Sequence, residues 1–242
     1  MGRPRHDVRG IVGARELLAL VHFRRREPAP ALRPYLEHYW LIDWDLPEPY
    51  TSHVVPHPSV HIVFQRHGRE RPWGEIAGIA PGLFAQRLEG GGRVCGAKFR
   101  PGGFRPFAPG TSVSDWTGHR VRLPDARLGP GGGGSPGRGT STGGGTSTGG
   151  DGTAGAATSA APGATAVTAA AGAARVDADA IVSPDSEDLR VAALDAYLLR
   201  LAPRPDPQAL RAMELVERVH GDRSIRRVAD LADAEGMSVR SL

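Results

Sequence analysis

Between Gly129 and Ala174 the chain is built almost wholly from Gly, Ser, Thr and Ala, and it has no aromatic residue there. Such a segment buries too little apolar area to offset the entropy of ordering its backbone, so it is expected to be disordered. As a flexible coil of about 46 residues it would hold its ends roughly 35–40 Å apart. Its glycine run is not a phosphate-binding loop: no strand precedes it, no helix opens after it, and no Lys-Ser/Thr follows. Ordered structure is therefore expected on either side of the tract.

Before it, residues 28–128 have the composition of a globular domain large enough for one core. Alternation in "YWLIDWDL" predicts a strand, which Pro47 and Pro49 are expected to end. "SVHIVFQRHG", "GEIAGIA", "FAQRLEGGGRVCGAKFR" and "HRVRLPD" supply further short strands. Gly90, Gly91 and Gly92 read as a hairpin loop, and "RPGGFRPFAPG" as a compact connection. Residues 1–27 are expected to be an extension holding a short helix or a mis-called start. Arg15 and Glu16 interrupt its apolar stretch and no small-residue cleavage site follows, so it does not read as a signal peptide.

After the tract the period changes from two to between three and four. Ser183, Pro184 and Asp185 are a helix-start signal, and Val191, Leu194, Leu198 and Leu201 form one stripe. "APRPDP" breaks that helix. Asp206 is expected to cap the next, with Pro207 in its first position. Leu210, Met213, Val216 and Val219 line its face and Gly221 ends it. Ser224 then reads as a further cap, before Ile225, Val228, Leu231 and Ala232 on one helical face. Gly236 suits the left-handed exit from that helix, Met237 tucks back, and Ser238 caps a new helix opening with Val239. Helix, tight turn and capped helix is the pattern of a helix-turn-helix, in which the start of the second helix meets base edges in the major groove. Those residues are Ser238, Val239, Arg240 and Ser241, with Arg240 suited to guanine. The same pattern also fits two ordinary short helices.

Composition constrains partners less. The net charge is +4, and Lys98 is the only lysine, so nearly all positive charge is arginine. With so much Ala, Gly and Pro, this points to a compositional bias rather than a polyanion partner. The tail itself is balanced: Arg223, Arg226, Arg227 and Arg240 stand against Asp222, Asp230, Asp233 and Glu235. Cys95 is the lone cysteine, so no disulfide framework or cysteine zinc site is expected, in keeping with a reducing cytoplasm. No stretch has the apolar length of a membrane span.

The tail "DPQALRAMELVERVHGDRSIRRVADLADAEGMSVRSL" resembles the start of an AraC-type DNA-binding domain, through its "GMS" turn and "S-x-R-x-L" opening. Upstream, "LRPYLEHYWLIDWDL", "VVPHPSVHIVF" and "KFRPGGFRPF" resemble the N-terminal sensor domain of a subgroup of AraC-like regulators, over about two thirds of the chain in all. The resemblance implies a regulator that binds promoter DNA, as monomer or homodimer, under a small-molecule effector. It also implies two helix-turn-helix units. Here the first is cut about one turn into its recognition helix and the second is absent, so the chain reads as C-terminally truncated. Glu235 stands where the motif usually has an apolar residue.

Other candidate sites are fewer. His53, His57 and His61 recur every four residues, and in a strand His57 and His61 would share a face. With Tyr39 and Trp40 they are the candidate ligand-binding residues, against the plainer reading of a half-exposed strand and an aromatic core. No acidic ligand stands at a metal-binding spacing, so no metal or cofactor is expected. Cys95 lies in a strand-like run without a base. Ser112, Ser114, Asp115 and His119 lack a nucleophile elbow, so no enzymatic activity is expected. The chain thus reads as α+β. A β-rich sensor domain (28–128) and a disordered linker (129–180) precede a connecting helix (181–205) and a truncated helix-turn-helix (206–242). The alternative is a stand-alone ligand-binding or dimerisation module that has lost DNA binding.

Overall fold

The computed structural model describes residues 10–123, 128–129 and 177–242. Most of the tract expected to be disordered therefore lies outside the described residues, as do residues 1–9. The alternating segments become an antiparallel sheet of seven strands: β1 (Ile11–Val12), β2 (Val21–Arg26), β3 (Leu36–Val54), β4 (His61–His67), β5 (Trp73–Ala77), β6 (Phe84–Phe99) and β7 (Arg120–Arg122). The order is β1-β3-β6-β4-β5-β7, with β2 also pairing β3. The sheet thus begins well before residue 28. The expected N-terminal extension contributes β1, β2 and, between them, helix α1 (Ala14–Leu20).

Two expectations about strand ends are corrected. β3 does not stop at Pro47 and Pro49. Its pairing with β6 shifts register between Leu46 and Tyr50, and the prolines, which have no N–H to offer a ladder, sit in that irregularity. Gly90, Gly91 and Gly92 are not a hairpin loop either; they lie inside β6, opposite Leu46, Asp45 and Trp44. The reason is steric. A Cβ on Gly92 would stand 2.0 Å from the Trp44 ring, and one on Gly96 would stand 2.1 Å from the Trp40 ring. The two indoles lie where β6 has no side chains.

The sheet buries both faces. One carries Tyr39, Leu41, Ile62, Phe64, Ile76, Cys95, Ala97 and Phe99, and packs against Phe104, Phe107 and Trp116 of the connections that follow β6. The other carries Trp44, Val63 and Val94, and is closed by Leu17 of α1.

Four helices follow the tract: α2 (Ala178–Val182), α3 (Glu187–Arg200), α4 (Pro207–Gly221) and α5 (Val228–Ala234). The boundary expected at residue 180 falls inside α2, whose Ala178, Ile181 and Val182 are buried in the first core. α3 is capped by Ser186, whose Oγ accepts from the Leu189 N–H at 3.4 Å, and not by Ser183. Its Leu194, Tyr197 and Leu198, with Leu201 just beyond it, join the same core; each such buried side chain contributes about 1.5–3 kcal/mol. On the near side of the tract, Leu128 packs against this core and the Gly129 N–H donates to the Phe107 carbonyl at 2.8 Å. Both flanks of the tract therefore end on one core. α2 and α3 belong to the sheet domain.

α4 begins as expected, with the Asp206 carboxylate accepting from the Gln208 and Ala209 N–H groups. It rests on the turn after β6: Arg105 Nε donates to Asp206 at 2.5 Å and Arg100 Nη1 to Glu217 at 2.6 Å. Ala209 and Met213 are buried, whereas Leu210 and Val219 of the expected face are exposed. α5 starts later than expected. Ser224 is held in a turn by Asp222, and Asp230 accepts from the Arg226 and Arg227 N–H groups instead. Among the described residues no helix is long and apolar enough to cross a membrane.

Candidate functional site

The tail geometry follows from two local features. Gly236 takes φ 62, which lets the chain leave α5 in the left-handed conformation. The Met237 N–H then donates back to the Ala232 carbonyl at 2.8 Å. Ser238 opens one helical turn: its Oγ accepts from the Ser241 N–H at 3.2 Å and its carbonyl from the Leu242 N–H at 3.2 Å. All four residues expected to meet bases are exposed, and no ion pair among the described residues holds Arg240. The hydroxyls of Ser238 and Ser241 lie 2.7 Å apart and satisfy each other.

Glu235, out of place as a surface charge, is a buried clamp. Its carboxylate is 6% exposed and pairs with Arg211 at 2.5 Å and with Arg218. Both arginines project from α4, so α4 and the end of α5 are tied just before the Gly236 turn. An apolar residue would make that junction by packing; here an ion-pair network makes it.

The four residues expected to form a ligand site are split between the two faces of the sheet and a loop. Tyr39 lies in the first core, fully buried, with its hydroxyl donating to Asp195 of α3 at 2.7 Å. Burial, then the Asp195 carboxylate, push its phenol well above the usual range. Trp40 faces the other way, and its Nε1 donates to His61 Nδ1 at 3.2 Å. His57 is not in a strand; it sits in the loop before β4, beside Gly10, so it and His61 share no strand face. Of the four, Trp40 and His61 are in contact.

What they meet includes residues that local patterns did not reveal. His38, Lys98 and His61 stand in one row across β3, β6 and β4. Lys98 Nζ is 2.8 Å from Glu37, and His38 Nδ1 is 3.4 Å from the same carboxylate. Burial alone would raise the Glu37 carboxyl, but hydrogen bonds from His38 and Lys98 bring it down to about 2. Burial, then the charges of Lys98 and His38, hold His61 down at about 3. His61 is therefore neutral near pH 7, a polar uncharged ring between an indole and an ion pair. Among the described residues no cluster of His, Cys, Asp and Glu could hold a metal ion. Burial pushes the Cys95 thiol up to about 11. Ser112 and Asp115 are engaged in capping the short helical turn Val113–Trp116.

Along the same face runs a further polar network. Gln65 and Glu75 are buried and bonded at 3.2 Å, Arg120 pairs with Glu75, and His67 lies 3.0 Å from Gln65. Arg122 stacks over the Trp73 ring, 3.3 Å from its centroid. The sequence signal for this face was the matched spacing of Trp40 and Trp44 with Gly92 and Gly96, which antiparallel pairing brings together.

Residues 24–122 match the family model described as a domain of unknown function (DUF6597). The match runs from β2 to the end of β7 and takes in neither the tract nor the helices. No curated protein matches the chain, and no solved structure does.

Proposed function

We propose that the protein is a sequence-specific DNA-binding transcription regulator of AraC type, acting in the cytoplasm. In this reading the sheet domain senses an effector and residues 206–242 open the DNA-binding domain. The observation that carries it is the capped turn after Gly236, which leaves Val239 and Arg240 exposed and Arg240 free of any ion pair among the described residues. A recognition helix needs that presentation at its first turn. The resemblance of both segments, in the same order, supports it further. Promoter DNA, a small-molecule effector and a second copy of the chain are the partners it implies.

One observation favours a second reading, a stand-alone ligand-binding or dimerisation module. Arg211 and Arg218 are both committed to Glu235, and the remaining Arg223, Arg226, Arg227 and Arg240 are balanced in number by Asp222, Asp230, Asp233 and Glu235, so the tail carries no excess of cations for phosphates. Selection from a random duplex library, followed by titration from about 50 to 200 mM salt, separates the two. The regulator reading expects an enriched sequence, affinity that falls steeply with salt, and relaxed base preference in Arg240→Ala. No enrichment and a flat salt response leave the module reading.

A further inference from the structure

α3 is apolar on the side it shows as well as on the side it hides. Arg190, Leu194, Tyr197 and Leu198 face the sheet domain and are buried. The opposite side carries Leu189, Ala192, Ala196 and Leu199, all exposed, Leu189 to 60% and Leu199 to 44%. Asp195 does not break this stripe with a charge. It turns aside to accept from the Ala29 N–H at 2.9 Å and from the Tyr39 hydroxyl at 2.7 Å. A surface helix normally shows charge to water, and one that is apolar all round is normally covered all round.

The order of residues along the stripe says what covers it. Its apolar positions are three, four and three residues apart, the spacing of a two-helix seam. That spacing reads the same from either end and is centred on Leu194. The charges that bound it, Asp188 and Arg200, are opposite in sign and equally far from the same centre. Turned end for end about Leu194, the stripe meets itself in register. Leu189 falls against the partner's Leu199, Ala192 against the partner's Ala196, and Asp188 against the partner's Arg200. A two-fold contact requires this self-complementarity. The alanines let two helices approach closely at the middle, and the leucines close the ends. The end charges are accessible: Arg200 is exposed and makes no ion pair among the described residues, and Asp188, though bonded to Arg26, keeps 80% of its side chain exposed. The low-complexity tract competes poorly for such a stripe, since residues 130–176 hold no apolar side chain larger than Val167 and Val176.

We propose that a second copy of this chain covers the stripe, with α3 packed antiparallel on α3 across a two-fold axis at Leu194. The interface belongs to the sheet domain, so it goes beyond the regulator reading and holds whether or not the tail binds DNA.

Sedimentation velocity of the full chain from about 1 to 200 µM tests it. A single helix pair lies at the small end of specific interfaces, so a reversible dimer with a Kd on the order of 10 µM is expected. The Ala192→Glu, Ala196→Glu double variant sets like charges face to face and should raise Kd at least about tenfold, as should Ala192→Lys, Ala196→Lys. Both positions are exposed, so the fold is kept, which circular dichroism checks. An equimolar mixture of the two double variants should dimerise again. For the direction of packing, Ala192→Cys mixed with Ala196→Cys should form a disulfide-linked dimer faster than either variant alone, because like positions are offset along the axis and Cys95 is buried. A chain that stays monomeric at about 200 µM overturns the proposal, as do charged variants that dimerise like the parent chain. Fastest linkage of Ala192→Cys to itself overturns it in favour of a parallel pair. A thiol of Ala192→Cys that resists a maleimide in the monomeric chain overturns it too, because the chain's own tract would then cover the stripe.

Discussion

The guanidinium of Arg190 donates two hydrogen bonds to the carboxylate of Asp43, at 2.8 and 3.0 Å, across 147 positions of sequence and the whole low-complexity tract. Arg190 is 2% exposed. Burial works against its charge, but the hydrogen bonds and charge of Asp43 outweigh it and raise the pKa. The pair fastens α3 to the centre of the sheet. Arg93 bonding to Asp185, and Arg24 and Arg26 pairing with Glu187, extend the fastening along the joint between α2 and α3.

Removing one partner of this pair strands the other. Arg190→Met should cost about 3 kcal/mol in urea unfolding, the low end for a broken buried pair because Asp43 keeps some contact with water. The Arg190→Met, Asp43→Leu double variant should recover part of that loss. A cost below about 0.5 kcal/mol for the single change would show that α3 is held by its leucines alone.

The tract's two flanks share one core, so its continuity should not be needed for the fold. Residues 1–129 and 177–242, produced as separate chains in one cell, are expected to copurify as a folded complex. Fragments that fold independently and do not associate would contradict the burial of Ala178, Ile181 and Val182 beside Phe64 and Phe99.

Glycine at position 92 is required by the Trp44 ring. Gly92→Ala should destabilise by about 1–3 kcal/mol, the usual cost of overpacking. The same change in a Trp44→Leu background should cost markedly less, because the clashing atoms are gone. Equal costs in both backgrounds would place the requirement in the backbone instead.

His61 sets an acid response. Its pKa is about 3 in the folded chain and about 6.5 when unfolded, so between those values the unfolded chain holds one more proton. Stability therefore falls as pH drops from about 6.5 toward about 3, by at most about 1.4 kcal/mol per pH unit. The half-buried residue keeps some solvent screening, which trims that slope. His61→Gln should flatten this limb. Glu37 acts lower: its pKa is depressed to about 2, so its contribution is present above about 4.5 and is lost as pH falls through about 2. Glu37→Gln should leave the pH 5–6.5 slope unchanged, which denaturant titrations at stepped pH can resolve.

The Glu235 clamp should govern order in the tail. Glu235→Gln weakens both ion pairs, and the Met237 amide, bonded to the Ala232 carbonyl, is expected to exchange its hydrogen at least about tenfold faster. The amides of β6 should be unaffected. Unchanged exchange at Met237 would mean that Ala232 packing alone holds the turn.

The features legible in the sequence are those that short stretches decide by themselves. Asp206 caps α4 because an acceptor before Pro207 suits the free N–H groups of a helix start. Gly236 turns left-handed because it has no Cβ to clash. Leu194, Leu198 and Leu201 meet the core because a helix repeats every three to four residues. β3 showed through its alternation, and β4 and β6 as strand-like runs, though not where they end. Tertiary structure alone decided that β3 passes two prolines and that β6 runs through three glycines, since both depend on partners across the sheet. It also assigned Tyr39 and Trp40 to opposite faces and set Lys98 beside Glu37. These outcomes depend on which distant side chain arrives to claim a charge or a space. A one-residue step in a strand reverses the face it presents, and no local pattern records what waits there.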